Sequence, residues 1–305
     1  MRIFLAGAGG TLGIPLLRQL ITDGHEVTAM TRSSAKRGVL ETMGARPVVV
    51  DVFDATALRD AVAKAKPEVV VNLLTALPAA GPLRYSHLEP TNRLRTEGAR
   101  NLLEAAAAGE ARRMVAESFA SAVVELSPGH PMQPTIDALH SLEAQHAEAS
   151  RAGRMETVVL RYGLFYGPGV PSTRDLIHNL RMGRMALPKN TPGRASWVHV
   201  HDAVSATVAA ISRRELPKSL YDIADDEPLT MREAMGTAAG VLGLRPPRTL
   251  PEWLFRLLAP VPAAFTWCSM VLDNRDAKRD LEWLPLYPNQ AAGYGAFARD
   301  WGIAA

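Results

Sequence analysis

The stretch Met1-Arg-Ile-Phe-Leu-Ala-Gly-Ala-Gly-Gly-Thr-Leu-Gly13 opens the chain and places glycines at positions 7, 10 and 13. An apolar run from Ile3 to Ala6 precedes these glycines, and leucines at helical spacing follow them as far as Ile21. The glycines therefore occupy a turn from a buried strand into a helix. Such a turn lets the backbone bend tightly, approach a pyrophosphate and direct a helix N-terminus at the phosphates. The sequence predicts a dinucleotide-binding turn.

The composition is that of an ordinary globular protein of 305 residues, with 47% apolar and 21% charged residues. The 34 basic and 31 acidic residues leave a net charge of +3, so we expect no nucleic-acid partner. Cys268 is the only cysteine, which excludes an internal disulfide and a thiolate metal site. The chain shows neither a signal-peptide pattern nor an apolar run of about 18 residues. We therefore expect a cytoplasmic protein with no membrane partner.

Strand-like runs alternate with amphipathic segments of helical length over the first half of the chain. The six runs are Ile3 to Ala6, Glu26 to Met30, Pro47 to Val50, Val69 to Leu74, Arg113 to Glu117 and Thr157 to Arg161. This alternation predicts an α/β fold with a doubly wound parallel sheet of the Rossmann type. The later segment Trp197 to Asp202, followed by a helix from Ala203 to Ile211, is predicted to return to that sheet.

The pattern loosens after Gly169, prolines become frequent, and four of the five tryptophans lie beyond residue 250: Trp253, Trp267, Trp283 and Trp301. We predict a smaller, mainly helical substrate lobe there. The predicted division assigns 1–168 and 196–224 to an NADP-binding domain, and 169–195 and 225–305 to the lobe. The apolar stretch 251–270 is consistent with a pocket for a flat aromatic ligand and equally with the core face of a helix.

The order of motifs resembles the extended branch of the short-chain dehydrogenase/reductase superfamily. The motifs are Gly7-x-x-Gly10-x-x-Gly13, Asp51 after the third strand, Asn72-Leu-Leu-Thr75, Leu160-Arg-Tyr-Gly163 and Val198-His-Val-His-Asp-Ala203. The resemblance implies an adenine site at the third strand, a pyrophosphate site at the turn and a nicotinamide site after the sixth strand. The residues it implies around the cofactor are Gly7, Gly10, Thr11, Leu12, Gly13, Asp51, Val52, Leu73, Leu74, Thr75, Phe119, Tyr162, Gly163, Leu164 and Phe165.

The end of the second strand bears on the choice between NAD and NADP. Ala29-Met-Thr-Arg32-Ser33 offers no carboxylate for a ribose 2′-hydroxyl, whereas Arg32 offers a guanidinium for a 2′-phosphate. We therefore predict NADP(H) as cofactor, with Arg32 and Ser33 beside it. The alternative is that Arg32 is a solvated loop residue.

The catalytic residues of the resembled family are missing. Its Ser, Tyr and Lys positions fall on Ala120, Thr135 and Leu139, although a one-residue slip would place Ser121 at the Ser position. No tyrosine lies between Tyr85 and Tyr162. The usual phenol therefore cannot be the proton donor. The remaining candidates for a catalytic role are Ser118, Ser121 and His140, followed by His199 and His201. We predict no metal site, because His199 and His201 lack a third ligand at a familiar spacing.

A missing phenol does not exclude hydride transfer, because the nicotinamide itself carries that chemistry. The pattern also resembles actinobacterial reductases of aromatic polyketide tailoring. We therefore predict an NADPH-dependent ketoreductase acting on a planar aromatic ketone, with the proton supplied by a neighbouring phenol of the substrate. The alternatives are a sugar-nucleotide epimerase or dehydratase, an isomerase or cyclase, and a non-catalytic NADP-sensing regulator. A monomer or a homodimer is expected.

Overall fold

A computed structural model describes residues 1–78 and 81–300. The last five residues of the predicted lobe, Trp301 among them, lie outside the described residues. The strands are β1 (Arg2–Ala6), β2 (Glu26–Thr31), β3 (Arg46–Val49), β4 (Val69–Asn72), β5 (Arg113–Phe119), β6 (Glu156–Tyr162), β7 (Leu164–Tyr166), β8 (Ala186–Leu187), β9 (Arg194–Ala195), β10 (Trp197–His199), β11 (Leu220–Ile223), β12 (Leu229–Thr230) and β13 (Arg248–Thr249). The helices are α1 (Gly13–Thr22), α2 (Arg37–Thr42), α3 (Ala55–Ala65), α4 (Glu89–Arg93), α5 (Ala99–Ala108), α6 (Gln133–Arg151), α7 (Pro171–Arg181), α8 (Val200–Ser212), α9 (Met231–Val241), α10 (Glu252–Leu258), α11 (Pro260–Trp267), α12 (Arg275–Asp280) and α13 (Gln290–Asp300), with a π turn at Leu94–Gly98 joining α4 to α5.

Seven parallel strands form the central sheet in the order β11-β6-β5-β4-β1-β2-β3. Helices α1 and α8 pack together on one face, while α3 and α5 pack on the other. The predicted doubly wound α/β fold is confirmed, and each of the six predicted strands ends within two residues of its predicted limits. The strand order reverses between β1 and β4, and a ligand crevice is expected at the carboxyl ends of those strands.

The seventh strand of the sheet differs from the prediction. Trp197–His199 does not return to the main sheet but pairs in parallel with β7. The strand that extends the sheet is β11, beside β6. At Gly163, directly after β6, a Cβ would stand 2.6 Å from the Ser196 carbonyl oxygen, so the chain packs closely against the segment before β10. The Gly163 amide also donates to the carbonyl oxygen of Ile223, the last residue of β11, at 3.0 Å.

The C-terminal region is mainly helical, as predicted, and consists of α9 to α13 with short strand pairs. β8 pairs with β13 in parallel, and β9 pairs with β12 antiparallel. Over residues 1–78 and 81–300, no helix is both long and apolar enough to cross a membrane.

The glycine turn is packed so closely that side chains are excluded. Gly7 has a φ of +89°, and a Cβ on it would lie 2.4 Å from the Leu73 carbonyl oxygen. A Cβ on Gly13 would lie 2.1 Å from the Gly7 carbonyl oxygen. Helix α1 therefore begins directly against the end of β1, and the end of β4 lies directly beside the turn.

Gly13→Ala is expected to destabilise the protein by about 1–3 kcal/mol or more, because the added methyl forces the turn and α1 apart. The measurement is the free energy of unfolding in urea. Gly240→Ala is the matched control, because its new Cβ in α9 would have no atom within 4 Å, so this change should be neutral or mildly stabilising. Equal stability of the two variants would show that the turn is not close-packed.

Arg113 forms a buried clamp between the sheet and α8. Its side chain is fully buried, and Nη2 lies 2.6 Å from the Glu156 carboxylate. Nη1 donates to the carbonyl oxygens of Ala210 at 2.7 Å and Arg213 at 2.6 Å. These carbonyls belong to the end of α8, where a cation is favourable because the helix carbonyls lack partners there. One guanidinium thus joins β5, β6 and the end of α8.

Arg113→Met should lower the free energy of unfolding by about 3–5 kcal/mol, because it leaves the partners of a buried pair uncompensated. Chemical denaturation provides the measurement. Arg46→Met removes the exposed pair with Glu26, whose side chains are 78% and 58% exposed, and should cost less than about 1 kcal/mol. If both variants lost the same stability, the clamp would have no special role.

Candidate cofactor and substrate site

The glycine turn presents free backbone donors at the start of α1. The Gly10 amide donates to the Gly7 carbonyl at 2.9 Å. The amides of Thr11 and Leu12 have no partner among the residues that the structure describes. Unpaired amides at a helix N-terminus bind anions. The close-packed glycines and these amides therefore fit a dinucleotide pyrophosphate.

The loop after β3 contains two residues predicted to contact adenine. Asp51 is exposed, and its Oδ1 accepts a hydrogen bond from the Phe53 amide at 3.0 Å. Val52 is buried, and its carbonyl oxygen accepts from Asn101 Nδ2 at 3.0 Å. The Arg93 guanidinium stands 3.9 Å from the centre of the Phe53 ring. These contacts order the loop at the carboxyl edge of the sheet.

Leu73, Leu74 and Thr75 continue from the end of β4 beside the turn. The Leu73 amide donates to the Ala6 carbonyl at 2.9 Å, and the Leu74 amide donates to Asn72 Oδ1 at 3.2 Å. Thr75 is exposed beyond them. The structure thus brings this predicted segment together with Gly7.

Two cations flank the turn on the side of β2. Arg32 is exposed and forms no hydrogen bond or ion pair within the described chain, while the Ser33 amide donates to Thr31 Oγ1 at 3.1 Å. Lys36 Nζ lies 3.4 Å from the Gly9 carbonyl oxygen, so this lysine reaches the turn itself. Lys36 was not predicted from the sequence. Its position four residues after Arg32 was the signal that could have placed it beside the turn.

Tyr162, predicted beside the nicotinamide, directs its side chain elsewhere. The side chain is buried toward α8, where its hydroxyl lies 2.7 Å from Thr207 Oγ1. Burial raises the pKa of Tyr162 above its usual range. The Phe165 ring, which is only partly buried, is centred 5.4 Å from that of Tyr162. Near the carboxyl edge of the sheet, Tyr162 can therefore contribute its backbone but no phenolic acid.

The three residues predicted to stand at the catalytic positions are neither carboxylates, imidazoles, phenols nor amines. Ala120 is buried in the turn after β5. Thr135 Oγ1 accepts a hydrogen bond from Asn92 Nδ2 at 3.1 Å, and Leu139 is fully buried. Both positions on α6 are thus occupied by groups that pack the protein and cannot exchange a proton.

Ser118 is engaged in an ion-pair network. Its hydroxyl donates to Glu143 Oε1 at 2.7 Å. Arg161 donates to both oxygens of Glu143, at 2.7 and 3.0 Å, and lies 3.3 Å from Asp222 Oδ1. Because its proton already has an acceptor, Ser118 serves to tie β5 to α6.

The candidate histidines also have other partners. His140 is exposed, and its Nε2 lies 2.8 Å from the Ala122 carbonyl oxygen. His199 caps α8 by accepting from the His201 amide at 3.3 Å, and burial lowers the pKa of His199 to about 4. The ring of His199 packs against that of Tyr287 with centroids 4.1 Å apart. The structure thus gives His199 a structural position at the start of α8.

Ser121 is one of the residues that line a small apolar cavity. Its Oγ is buried and has no hydrogen-bond partner among the described residues. The cavity is about the size of one water molecule, because only about 10 Å³ is open to the centre of such a molecule. Its other lining residues are Val124, Leu126, Met132, Ile136, Ala264, Phe265, Cys268 and Met270. Phe265 contacts the predicted cofactor residue Phe119, with ring centroids 6.2 Å apart, and burial raises the pKa of the Cys268 thiol. The lining set contains no carboxyl, imidazole, phenol or cation.

Glu117 is a titratable group that the sequence analysis missed. It lies within β5, and burial raises its pKa to about 7, although Arg95 on the π turn partly opposes this shift. The available signal was a carboxylate directly after the apolar run 114–116 of a predicted strand. Glu117 is not among the residues that line the cavity.

Two comparisons of the sequence identify related proteins. A model of the NAD dependent epimerase/dehydratase family matches residues 3–224. The chain is 38% identical to a 3-diazoavenalumate denitrifying reductase from a Streptomyces species, over 97% of this chain and 99% of the relative. It is 27% identical to the 2-alkyl-3-oxoalkanoate reductase of Stenotrophomonas maltophilia, over 80% of this chain and 76% of the relative.

Solved structures share the fold at low sequence identity. The UDP-glucose 4-epimerase of Thermus thermophilus, solved in complex with NAD, aligns over the whole of both chains with a TM-score of 0.80 and 20% identity. The UDP-glucose 4-epimerase of Thermotoga maritima aligns with a TM-score of 0.79 and 18% identity, over 99% of this chain and 100% of its own. With its glycine turn, its strand order and the family match over most of its length, the chain belongs to the NAD dependent epimerase/dehydratase family of extended short-chain dehydrogenases/reductases.

Proposed function

We propose that the protein is an NADPH-dependent reductase that directs hydride to an aromatic substrate and donates no proton to it. The observation that carries the proposal is that Thr135 and Leu139, the residues predicted at the Tyr and Lys positions, are a hydrogen-bonded threonine and a buried leucine, and that the residues lining the adjacent cavity include no acid. A reductase relative that is 38% identical over the full length supports the reaction class. The proposed reaction is therefore one that needs no proton from the protein.

NADPH is proposed over NADH because of the charges beside the turn. Arg32 is exposed without a partner in the described chain, and Lys36 lies against Gly9. Residues 31–36 contain no carboxylate that could accept a ribose 2′-hydroxyl. Two cationic side chains, with no carboxylate near them in the sequence, favour binding of a 2′-phosphate over a 2′-hydroxyl.

The residues of the chain then have separate tasks. The amides of Thr11 and Leu12 hold the pyrophosphate, and Leu73 to Thr75 border the cofactor. When bound, NADPH supplies a hydride. The apolar cavity in the turn after β5, with Ser121 among its lining residues, borders the proposed substrate site. Ser118 and His140, the other predicted catalytic residues, are engaged with Glu143 and the Ala122 carbonyl.

An aryl diazo group is the electrophile that this site suits best. The full-length relative is named as a denitrifying reductase of a diazo compound. An aryl diazonium with an ortho-phenolate is uncharged, and addition of one hydride gives the phenolate and N₂. No proton is consumed in that step, since the carbon–nitrogen bond breaks and its electron pair leaves with the nitrogen. A site without an acid can therefore complete the reaction.

Reduction of an aromatic, polyketide-type ketone is the second candidate, favoured by the 2-alkyl-3-oxoalkanoate reductase among the relatives. A ketone takes up one hydride and one proton to form an alcohol. The proton would come from a phenol next to the ketone, which also spreads the charge on oxygen. Sugar-nucleotide epimerisation fits less well, because it must remove and return a proton, and the cavity offers neither a base nor a cation for a diphosphate.

Arg32→Glu and Lys36→Glu should each weaken NADPH binding by about 10- to 100-fold, the equivalent of losing one charge-assisted hydrogen bond. NADH affinity should change little. Fluorescence titration with both cofactors provides the measurement. Arg37→Gln is the matched control, since Arg37 is already paired with Glu41 at 2.9 Å. Equal losses for NADH and NADPH would refute the assignment of these cations to a 2′-phosphate.

We expect the protein to catalyse the reduction of 2-hydroxybenzenediazonium by NADPH. With NADPH deuterated at C4 on the transferred face, the phenol product should carry one deuterium on its ring, with N₂ and NADP⁺ formed in equal amounts. The solvent isotope effect on kcat/KM should be close to 1, because no proton moves in the step. Mass spectrometry and NADPH absorbance provide the measurement.

Glu117→Gln should retain this turnover, which separates an acid-free reaction from one in which Glu117 supplies a proton. A reaction without protein measures the background. Tight NADPH binding with no protein-dependent turnover of the diazonium or of a 2-hydroxyaryl ketone would support the non-catalytic sensor and overturn the reductase.

A further inference from the structure

We propose that Arg95 binds a carboxylate carried by the aromatic substrate, so that the substrate of this site is an aryl carboxylic acid. The inference rests on the proposed function for calling this ligand the substrate, and it names the chemical class of that substrate. It follows from the burial of Arg95, from its lack of a partner, and from its place at the carboxyl edge of the sheet.

Arg95 is a buried cation without a partner. Only 8% of the residue is exposed, yet its guanidinium forms no hydrogen bond or ion pair within the described residues. No nitrogen of Arg95 is among the fully buried unpaired atoms, so the guanidinium itself reaches the solvent. The other buried arginine, Arg113, has carbonyl and carboxylate partners. A guanidinium buried without an anion is unfavourable for folding, and a bound anion would balance it.

Helix α4 directs Arg95 toward the segment that follows β4. Thr91 lies four residues before Arg95, and its Oγ1 accepts a hydrogen bond from the Ala76 amide at 2.9 Å. Residues four apart share one face of a helix. Arg95, in the π turn that continues α4, therefore lies one turn farther along the face that meets the segment after β4. That segment includes Leu73 to Thr75, the predicted border of the cofactor.

Glu117 marks how far the Arg95 side chain extends. Strand β4 ends at Asn72, opposite Ala116, whereas β5 continues to Phe119, so Glu117 is the first residue of β5 beyond the end of β4. Val115 packs in the core cluster that contains residues of α1 and α8. Because alternate residues of a strand share a face, Glu117 projects from that same face of the sheet.

The π turn lies on the opposite face of the sheet from the Glu117 side chain. It packs against α6, where Gln145 Nε2 donates to the Thr96 carbonyl at 3.2 Å, and α6 packs against α5. The charges of Arg95 and Glu117 nevertheless interact, although no nitrogen–oxygen pair between them lies within 4.0 Å. Arg95 therefore reaches across the carboxyl edge of the sheet above the end of β4, which is where ligands bind in this fold.

Glu117 does not neutralise the guanidinium. Burial raises the pKa of Glu117 to about 7, so this carboxyl is only partly ionised near neutral pH. It also makes no direct ion pair with Arg95. The site therefore keeps a net attraction for a second, external anion.

A carboxylate on the substrate is the anion that suits this position. The proposed pyrophosphate ligands are the amides of Thr11 and Leu12, and the 2′-phosphate is assigned to Arg32 and Lys36 on the β2 side of β1. Strands β4 and β5 lie on the other side of β1, so Arg95 stands away from those cations. A planar guanidinium can donate two parallel hydrogen bonds to the two oxygens of a carboxylate. This carboxylate is a substituent away from the reacting carbon and takes no part in hydride transfer.

The experiment is isothermal titration calorimetry of the full chain in excess NADP⁺, with trans-cinnamate and its uncharged amide, trans-cinnamamide, as probes. The two probes have nearly the same shape, so the difference in affinity reports the charge. Cinnamate should bind about 10- to 100-fold more tightly than cinnamamide, as expected for charge-assisted hydrogen bonds to one guanidinium. Arg95→Met should remove this preference. Arg95→Lys should restore part of it, because lysine keeps the charge but not the paired hydrogen bonds.

Arg100→Gln is the matched control. Arg100 is exposed on α5 and forms no hydrogen bond or ion pair within the described chain, so its loss should leave the preference for cinnamate unchanged. NADP⁺ affinity should also be unchanged in Arg95→Met. A parallel loss of NADP⁺ binding would assign Arg95 to the cofactor and overturn the inference.

Urea unfolding separates a ligand-binding arginine from a structural one. Arg95→Met should leave the unfolding midpoint unchanged or raise it, because it removes a buried charge that no group in the described chain balances by direct contact. Arg113→Met, which breaks a paired guanidinium, should lower the midpoint. A loss in Arg95→Met as large as that in Arg113→Met would show that Arg95 serves folding, and would contradict the proposed site.

Absence of a preference for cinnamate in the unaltered protein, whether both probes bind equally or neither binds, would overturn the inference, as would equal losses in Arg95→Met and Arg100→Gln. Turnover of 2-hydroxybenzenediazonium by a protein without this preference would refute the carboxylate site alone. A preference that depends on Arg95, in a protein that reduces neither candidate substrate, would refute the reductase alone.

Discussion

The rest of the structure depends on how closely the end of β1 approaches α1 and β4. A Cβ at Gly13 would stand 2.1 Å from the Gly7 oxygen, and one at Gly7 would stand 2.4 Å from the Leu73 oxygen. Because these elements touch through their backbones, their relative positions are fixed without side chains. The same packing leaves the Thr11 and Leu12 amides free where the strand order reverses. The place of a cofactor along the carboxyl edge follows from this one contact.

Around that edge, several polar side chains at or near the predicted catalytic positions form hydrogen bonds within the protein. Thr135 is bonded to Asn92, and Ser118 is bonded to Glu143, which also binds Arg161. Ser121 differs, because its hydroxyl is buried with no partner in the described chain. The residues that line the cavity beside Ser121 add no carboxyl, imidazole, phenol or cation.

The sequence predicted the features that depend on local pattern. The six strands and the glycine turn are visible because hydrophobic runs and glycine spacing are properties of short segments. It did not predict β11, whose run Leu220 to Ile223 contains Asp222 and alternates between partly buried and buried residues. The isolation of Ser121 is a tertiary fact without a local signal, and the approach of Lys36 to Gly9 was signalled only by its spacing from Arg32. The division into an NADP-binding domain and a substrate lobe stays a prediction.

The charge that each reaction develops distinguishes the two candidate substrates. Hydride addition to a ketone places a new negative charge on oxygen, and the residues lining this cavity provide one hydroxyl and no cation to stabilise it. Hydride addition to an uncharged diazo phenolate removes a positive charge, and the negative charge that remains was already present on the phenolate oxygen. A phenolate is a much weaker base than an alkoxide, so that oxygen needs less stabilisation from the protein. An apolar site without an acid therefore demands less of its residues in diazo reduction than in ketone reduction, unless the ketone brings its own phenol.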